Sequence, residues 1–119
     1  MTTRRWAQGL AAALGGSGVL HLVRPATFAP LVPPELGSAR GWVLASGVAE
    51  LVTAGLLAAP RTRALGGRAA AGLLVAFVPA HLHTYRVVPH TPVPLALATA
   101  RLPLQVVLIR GALRVARVG

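Results

Sequence analysis

Glu50 and Arg101 are charged residues that lie within long apolar stretches of this sequence, at 41–59 and 94–112. An ionisable side chain at membrane depth costs about 2.5–3.5 kcal/mol, so such residues usually serve pairing or function. At about 1.5 Å of helix per residue, Glu50 lies about 13 Å and Arg101 about 10 Å below the same membrane face. These depths allow a salt bridge, which either belongs to a functional site or only fixes the register of two helices.

Polar residues recur three or four positions apart in four apolar stretches, which is the spacing of neighbours on one helix face. The groups are Ser17 with His21; Ser46 with Glu50 and Thr53; His81 with Tyr85; and Arg101 with Gln105. Because lipid offers polar groups no partners, we expect all four faces to turn inward and form one pocket in the outer half of the bilayer. The predicted ligand-binding residues are His21, Glu50, His81, Arg101 and Gln105.

The four histidines do not have the spacing of a metal site. No two of them form the HxxxH pattern that places two ligands on one helical face, and Glu50 is the only carboxylate within an apolar stretch. His81 and His83 point about 200° apart on a helix. We therefore predict no metal ion, and we interpret His83 and His90 as residues of the membrane interface.

The sequence has no cysteine, which excludes disulfides, thiolate metal ligands and a cysteine nucleophile. It also has no glycine-rich phosphate loop, no Ser-His-acid set and no paired carboxylates. Catalytic residues are therefore unassigned, no covalently bound cofactor is expected, and an enzyme acting on its own is not expected. A redox role would require a bound molecule and a partner.

Four apolar runs, at 6–23, 41–59, 68–85 and 94–112, must position these residues. Each run is close to the ~20 residues that cross a bilayer as a helix. With 55% hydrophobic and only 12% charged residues, the chain is predicted to be all-α, an integral membrane four-helix bundle with one transmembrane domain over 1–119. The outer, proline-rich loop 24–40 is expected to lie across the mouth of the bundle. Alternatively, it is a stiff connector whose Phe28, Leu31 and Val32 dip into the interface.

The arginines indicate the orientation of the chain. Arg4, Arg5, Arg61, Arg63, Arg68, Arg114 and Arg117 fall on one side, and Arg24, Arg40 and Arg86 fall on the other. The positive-inside rule therefore places both termini in the cytoplasm of a protein of the cell's inner (plasma) membrane, with an uncleaved first helix. Although the net charge is +10, the arginines are scattered between apolar runs, and no nucleic-acid partner is expected.

Small residues also recur at helical spacing, as in Ala12 and Gly16, Ala45 and Ala49, Gly72, Ala76 and Ala80, and Ala96 and Ala100. Such pairs permit close helix packing in lipid. They are equally expected by chance in a sequence this rich in alanine and glycine.

The order of several short motifs resembles the DoxX-like family of small bacterial membrane proteins. These are His21, Pro25 and Phe28; Val32-Pro33-Pro34; Ser46-Gly47-x-x-Glu50; Pro60-Arg61-Thr62-Arg63; Pro79-Ala80; and Arg101-Leu102-Pro103-Leu104-Gln105. The resemblance covers nearly the whole chain and implies a four-helix membrane bundle. Some relatives are subunits of a thiosulfate:quinone oxidoreductase, and distant ones are assembly chaperones for nicotinic receptors. His81 stands where the family pattern has asparagine, which exchanges an amide for a titratable ring.

Two functions follow from these patterns. The first is a subunit that binds a quinone or a lipid in the polar pocket and receives electrons from a redox partner. The second is an assembly factor or structural subunit that docks against another membrane protein and has an occluded core. A transporter is less expected, because four short helices show no inverted repeat and would need an oligomer. The expected partners are the lipid bilayer, another membrane protein or redox subunit, and further copies of the chain.

Overall fold

The computed structural model describes residues 2–118, which are helical apart from short connections and contain no strand. The predicted domain of 1–119 therefore extends one residue beyond the described chain at each end. The α-helices are α1 (Thr3–Val23), α2 (Pro25–Phe28), α3 (Ala39–Ala58), α4 (Arg63–Ala76), α5 (Val78–Val87) and α6 (Pro92–Val118). Short 3-10 turns lie at Ala29–Leu31, Pro34–Leu36 and Pro60–Thr62.

Three helical segments are long and apolar enough to cross a membrane, by length and composition: Ala39–Ala58, Pro60–Val87 and Pro92–Val118. The chain is thus all-helical with the character of a membrane protein. Helix α1 has 21 residues, which is sufficient length at about 1.5 Å per residue. Its glycines, together with Arg4, Arg5 and His21, make it less apolar than the other three segments.

The long helices form a ring in which α1 packs on α3, α3 on α4, α4 on α6, and α6 on α1. The chain reverses direction at each connection, so α1 begins where α6 ends, and the ring of Trp6 lies against Gly111 of α6. We call this end of the bundle the terminal half. The opposite end, which carries segment 24–38, is called the loop half.

The terminal half holds a closely packed apolar core. Its buried residues are Ala7, Leu10, Leu14, Leu57, Ala70, Ala71, Leu74, Ala112 and Val115. Glycines allow the helices to approach there: a Cβ on Gly66 would lie 2.7 Å from the Leu57 backbone nitrogen, and one on Gly67 would lie 2.5 Å from that of Ala116. Since small residues bring backbones together in this way, little space is left inside this half.

Gly18 of α1 and Gly47 of α3 form a second close approach, in the loop half. A Cβ on Gly18 would lie 2.9 Å from the Gly47 carbonyl oxygen, and a Cβ on Gly47 would lie 2.8 Å from the Cβ of His21. Neither glycine belongs to the small-residue pairs predicted from spacing, and Gly16 and Gly72 of those pairs have open space beside them. The closest approach of α1 and α3 is therefore made by two glycines outside those pairs.

The third predicted span, 68–85, contains Pro79, where the sequence predicts a bend because proline removes a backbone hydrogen bond of a helix. The structure shows a full interruption near this position. The backbone breaks at Phe77, between α4 and α5, and Pro79 lies in the first turn of α5. Pro103, in contrast, lies inside the continuous helix α6. Beyond the break, α5 packs on α6 and on the turn Ala29–Leu31, and it makes few close approaches to α1 or α3. This divergence opens the loop half.

The proline-rich segment is built from short helical turns, whereas the sequence predicted an irregular loop over 24–40. Pro25 begins α2, Pro30 lies in the turn Ala29–Leu31, and Pro34 begins the next turn. Proline suits the first turn of a helix because its missing N–H has no partner to lose there. Helix α3 begins at Ala39, where the Ser38 hydroxyl accepts a hydrogen bond from the Gly41 N–H. The segment packs against α1, α3 and α5, as expected for a cover across the mouth of the bundle.

Candidate functional site

The loop half encloses a cavity of about 260 Å³. Its walls come from α1, α3, the end of α4, α5, α6 and the proline-rich segment, and most of the wall is apolar. The polar side chains that line it are Ser17, His21, Ser46, Glu50, His81 and Arg101. Four of the five predicted ligand-binding residues, on four different helices, therefore line one cavity.

Glu50 and His21 form the polar centre of this cavity. The Glu50 side chain is 1% exposed, and its Oε1 lies 3.1 Å from Nδ1 of His21. The close approach at Gly18 and Gly47 makes this contact possible, because it removes the side chains that would otherwise separate α1 from α3. Two glycines thus decide where the carboxylate and the imidazole meet.

The His21 ring has a second partner that fixes its direction. Its Nδ1 lies 2.7 Å from the Ser17 carbonyl oxygen and 3.4 Å from the Ser17 hydroxyl. Because a carbonyl oxygen can only accept, Nδ1 carries the hydrogen and donates a hydrogen bond to the Ser17 carbonyl oxygen. Nδ1 is therefore close to the Glu50 carboxylate without donating a hydrogen bond to it. Within residues 2–118, Glu50 Oε1 receives no hydrogen bond.

Aromatic rings hold His21 from the sides. The Phe28 ring stacks on the His21 ring, with centroids 3.8 Å apart and an angle of 11° between the planes. The centroid of the Phe77 ring lies 6.5 Å from that of His21, with an angle of 15° between the planes. Phe28 comes from the proline-rich segment, and Phe77 lies at the break between α4 and α5. Leu31 and Val32 line the cavity beside Phe28. Phe28, Leu31 and Val32 of the segment therefore line the cavity. The alternative prediction placed the same three side chains in the membrane interface.

Arg101 lines the cavity from α6 but forms no ion pair with Glu50 in the described chain. The salt bridge allowed by their depths is therefore absent, because His21 occupies the place beside the carboxylate. Arg101 instead lines the same cavity as His81 of α5. Nδ1 of His81 is buried and has no hydrogen-bond partner within residues 2–118. The cavity thus contains two buried polar atoms without a partner, Glu50 Oε1 and His81 Nδ1.

Gln105 does not line the cavity, unlike the other four predicted residues. It is buried, and its Nε2 donates a hydrogen bond to the Leu74 carbonyl oxygen. Leu74 lies near the end of α4, just before the break at Phe77. Gln105 therefore ties α6 to the end of α4.

The remaining polar residues of the predicted faces have structural contacts. Thr53 donates to the Ala49 carbonyl oxygen at 2.8 Å, and the Tyr85 hydroxyl donates to Thr99 Oγ1 at 2.9 Å. His90 is exposed, whereas His83 is buried within the protein, and their assignment to the membrane interface stays a prediction. Residues 2–118 contain no cluster of three or more histidine, cysteine or acidic side chains able to hold a metal ion.

Comparison with known proteins gives one result. The model of a family described as a domain of unknown function, DUF8561, matches residues 10–116. The chain belongs to the DUF8561 family. No curated protein and no solved structure matches it. The DoxX-like resemblance therefore remains a prediction.

The match to DUF8561 spans every residue that lines the cavity, from Ala13 to Leu108. The cavity thus lies entirely within the part of the chain that defines its family membership. Trp6 and Arg117, which contribute to a groove in the terminal half, lie outside the matched part.

Three cavity residues could not be identified as such from the sequence. Phe77 has an ordinary apolar side chain for a membrane helix, and Trp42 is of a type common at the membrane interface, so neither indicated a cavity. Phe28 lies outside the four apolar runs. Trp42 lines the cavity and donates its indole N–H to the Leu36 carbonyl oxygen at 2.7 Å. The one available signal was the position of Phe77 two residues before Pro79, where a helix tends to break.

Proposed function

We propose that this protein is a membrane subunit that binds the head group of a quinone in the loop-half cavity. In this proposal α1 is a fourth membrane span, both termini are cytoplasmic, and the cavity lies in the outer leaflet of the cell's inner membrane. Electrons would come from a redox partner, as the DoxX-like resemblance implies. A lipid is the other candidate occupant.

The cavity with its two unpartnered buried atoms carries this proposal. Its volume of about 260 Å³ is slightly below the roughly 300–1,000 Å³ of typical ligand pockets. It suits a single substituted ring, with the hydrocarbon tail of the ligand passing between helices. Binding sites of this size are mostly apolar with a few convergent polar groups, and here Glu50, His81 and Arg101 converge from three helices.

The polar groups match the chemistry of a quinone. Quinone carbonyl oxygens accept hydrogen bonds, and the Arg101 guanidinium can only donate. The hydroxyls of the reduced form donate, and Glu50 Oε1 can accept. A buried polar atom without a partner costs about 1–3 kcal/mol. A ligand that supplies the missing hydrogen bonds would remove that cost, which favours binding.

The cavity also bears on the alternative of an assembly factor or structural subunit. That function predicted an occluded core, whereas the loop half is hollow and its walls carry polar groups on four helices. Ligand binding is therefore the better supported proposal. Co-purification of a stoichiometric protein partner, together with no quinone binding, would favour the alternative.

The test uses the fluorescence of Trp42, which lines the cavity, while the chain is held in lipid nanodiscs. Titration with a soluble ubiquinone or menaquinone analogue is expected to quench Trp42. The variant Trp42→Phe keeps only Trp6, in the opposite half, and reports non-specific quenching. The double variant Glu50→Gln/Arg101→Leu is expected to weaken binding about tenfold or more, equivalent to at least about 1.4 kcal/mol.

The control exchanges exposed residues on the same two helices, as Val52→Leu/Leu104→Val, and should bind like the wild type. Equal affinity of the wild type and the Glu50→Gln/Arg101→Leu variant would show that the quinone does not occupy this cavity. A natural lipid that displaces the analogue from the wild type alone would identify a lipid as the occupant.

A further inference from the structure

A second concave surface lies in the terminal half and shares no lining residue with the cavity. It has a volume of about 520 Å³ and is lined by Trp6, Val107, Arg110, Gly111, Leu113, Arg114 and Arg117. We call it the arginine groove. Arg110, Arg114 and Arg117 are spaced four and three residues apart, so they project from one face of α6.

Trp6 and Gly111 form the floor of the arginine groove. Gly111 is buried and has no side chain, so the Trp6 ring lies directly against the backbone of α6. Val107 and Leu113 are 49% and 44% exposed, and they border the groove with apolar surface. The groove therefore combines a row of cations with an aromatic ring and an apolar rim.

The arginines of the groove have no carboxylate partner within residues 2–118. The sequence contains two acidic residues, Glu35 and Glu50, and both lie in the loop half. Oε1 of Glu35 is 3.6 Å from the Arg86 guanidinium, and Glu50 is buried in the cavity. No acidic side chain of residues 2–118 is therefore placed to neutralise the groove, which leaves its three arginines open to an external anion.

We propose that the arginine groove binds an anionic phospholipid, and that it prefers one with two phosphate groups, such as cardiolipin, to one with a single phosphate. Guanidinium groups form paired hydrogen bonds to phosphate oxygens. Three of them spread over the eight helical residues 110–117 cover about 10 Å, which is more than one phosphate needs. The Trp6 ring suits the headgroup level, and the apolar rim suits the first part of the acyl chains.

This proposal is independent of quinone binding, because it uses a different half of the molecule and different residues. Its test measures the binding of cardiolipin, phosphatidylglycerol and phosphatidylcholine to the delipidated protein in a zwitterionic detergent, by native mass spectrometry. The expected order of affinity for the wild type is cardiolipin, then phosphatidylglycerol, then phosphatidylcholine.

The decisive variant is Arg110→Gln/Arg114→Gln/Arg117→Gln. Its affinity for cardiolipin should fall about 100-fold, since each arginine near an anionic lipid contributes a factor of about five. The matched control, Arg4→Gln/Arg61→Gln/Arg68→Gln, removes the same charge from exposed positions of the terminal half outside the groove. It should bind cardiolipin within a few-fold of the wild type.

Three outcomes would overturn the proposal. An equal loss of affinity in both triple variants would show that net charge alone attracts the lipid. Equal binding of phosphatidylcholine and cardiolipin would exclude recognition of phosphate charge. Complete displacement of cardiolipin by inorganic pyrophosphate at matched concentration would show that the groove recognises free phosphate and not a lipid.

Discussion

Gln105 is the one predicted ligand-binding residue that lies away from the cavity wall, and its hydrogen bond to the Leu74 carbonyl oxygen suggests a structural role. We predict that Gln105→Leu destabilises the protein by about 0.6–1.7 kcal/mol, the range measured for hydrogen bonds between membrane helices. Equilibrium unfolding in detergent micelles with increasing dodecyl sulfate would measure this change. The affinity for a quinone analogue should stay close to that of the wild type.

Val106→Leu is the control for Gln105→Leu, since Val106 is 55% exposed and its neighbour α4 does not cover it. The control should unfold like the wild type. If Gln105→Leu instead lost much of its quinone affinity while its stability was unchanged, Gln105 would belong to the binding site and not only to the packing of α4 and α6.

The residue scale also shows how far the sequence could predict the cavity. Helical spacing correctly grouped Ser17 with His21 and Ser46 with Glu50, because the helical repeat of about 3.6 residues by itself determines which residues share a helix face. The partner of Glu50 could not be predicted in this way. It depends on which two helices approach most closely, whereas depth along the helices pointed to Arg101.

At the scale of elements, the crossing of α1 and α3 at Gly18 and Gly47 decides the contact between His21 and Glu50. We predict that Gly47→Ala destabilises the protein by about 1–3 kcal/mol, because its Cβ would lie 2.8 Å from the Cβ of His21 and force the helices apart. The same substitution should weaken quinone binding, since it moves the carboxylate. Thermal unfolding in nanodiscs and the Trp42 titration would measure the two effects.

Gly55→Ala is a matched control for Gly47→Ala. It makes the same chemical change in the same helix, but nothing lies within 4 Å of the new Cβ. Alanine favours a helix over glycine by up to about 1 kcal/mol, so this variant should be as stable as the wild type or slightly more stable. If Gly47→Ala and Gly55→Ala had equal thermal stability and equal quinone affinity, the contact between His21 and Glu50 would not depend on close packing at Gly47.

The elements themselves were partly predictable. Apolar runs located α3 and α6, but α6 extends to Val118, beyond the predicted end at 112, because arginines continue a helix after the apolar run has ended. The break at Phe77 was expected only as a bend at Pro79. The turns of segment 24–38 were missed because proline was taken to exclude helix, although it favours the first turn.

At the scale of the whole molecule, the number of membrane crossings depends on α1. Composition alone sets α1 apart from the three apolar segments, yet α1 packs against α3 and against α6, which are two of those segments. A helix that packs along membrane-crossing neighbours shares their depth in the bilayer. Its Ser17 and His21 face the cavity and not the lipid, so they do not oppose insertion. These contacts favour four spans.

We therefore predict that residues 2 and 26, at the two ends of α1, lie on opposite sides of the membrane. The chain has no cysteine, so single cysteines can report accessibility to a membrane-impermeant maleimide in intact cells. Ala26→Cys and Thr91→Cys, in the loop half, should be labelled. Thr2→Cys and Ala59→Cys, in the terminal half, should be labelled only after the membrane is permeabilised, because the positive-inside rule predicts that the arginine-rich side faces the cytoplasm. Labelling of both Thr2→Cys and Ala26→Cys in intact cells would reduce the crossings to three and place the mouth of the cavity beside a helix lying on the membrane surface.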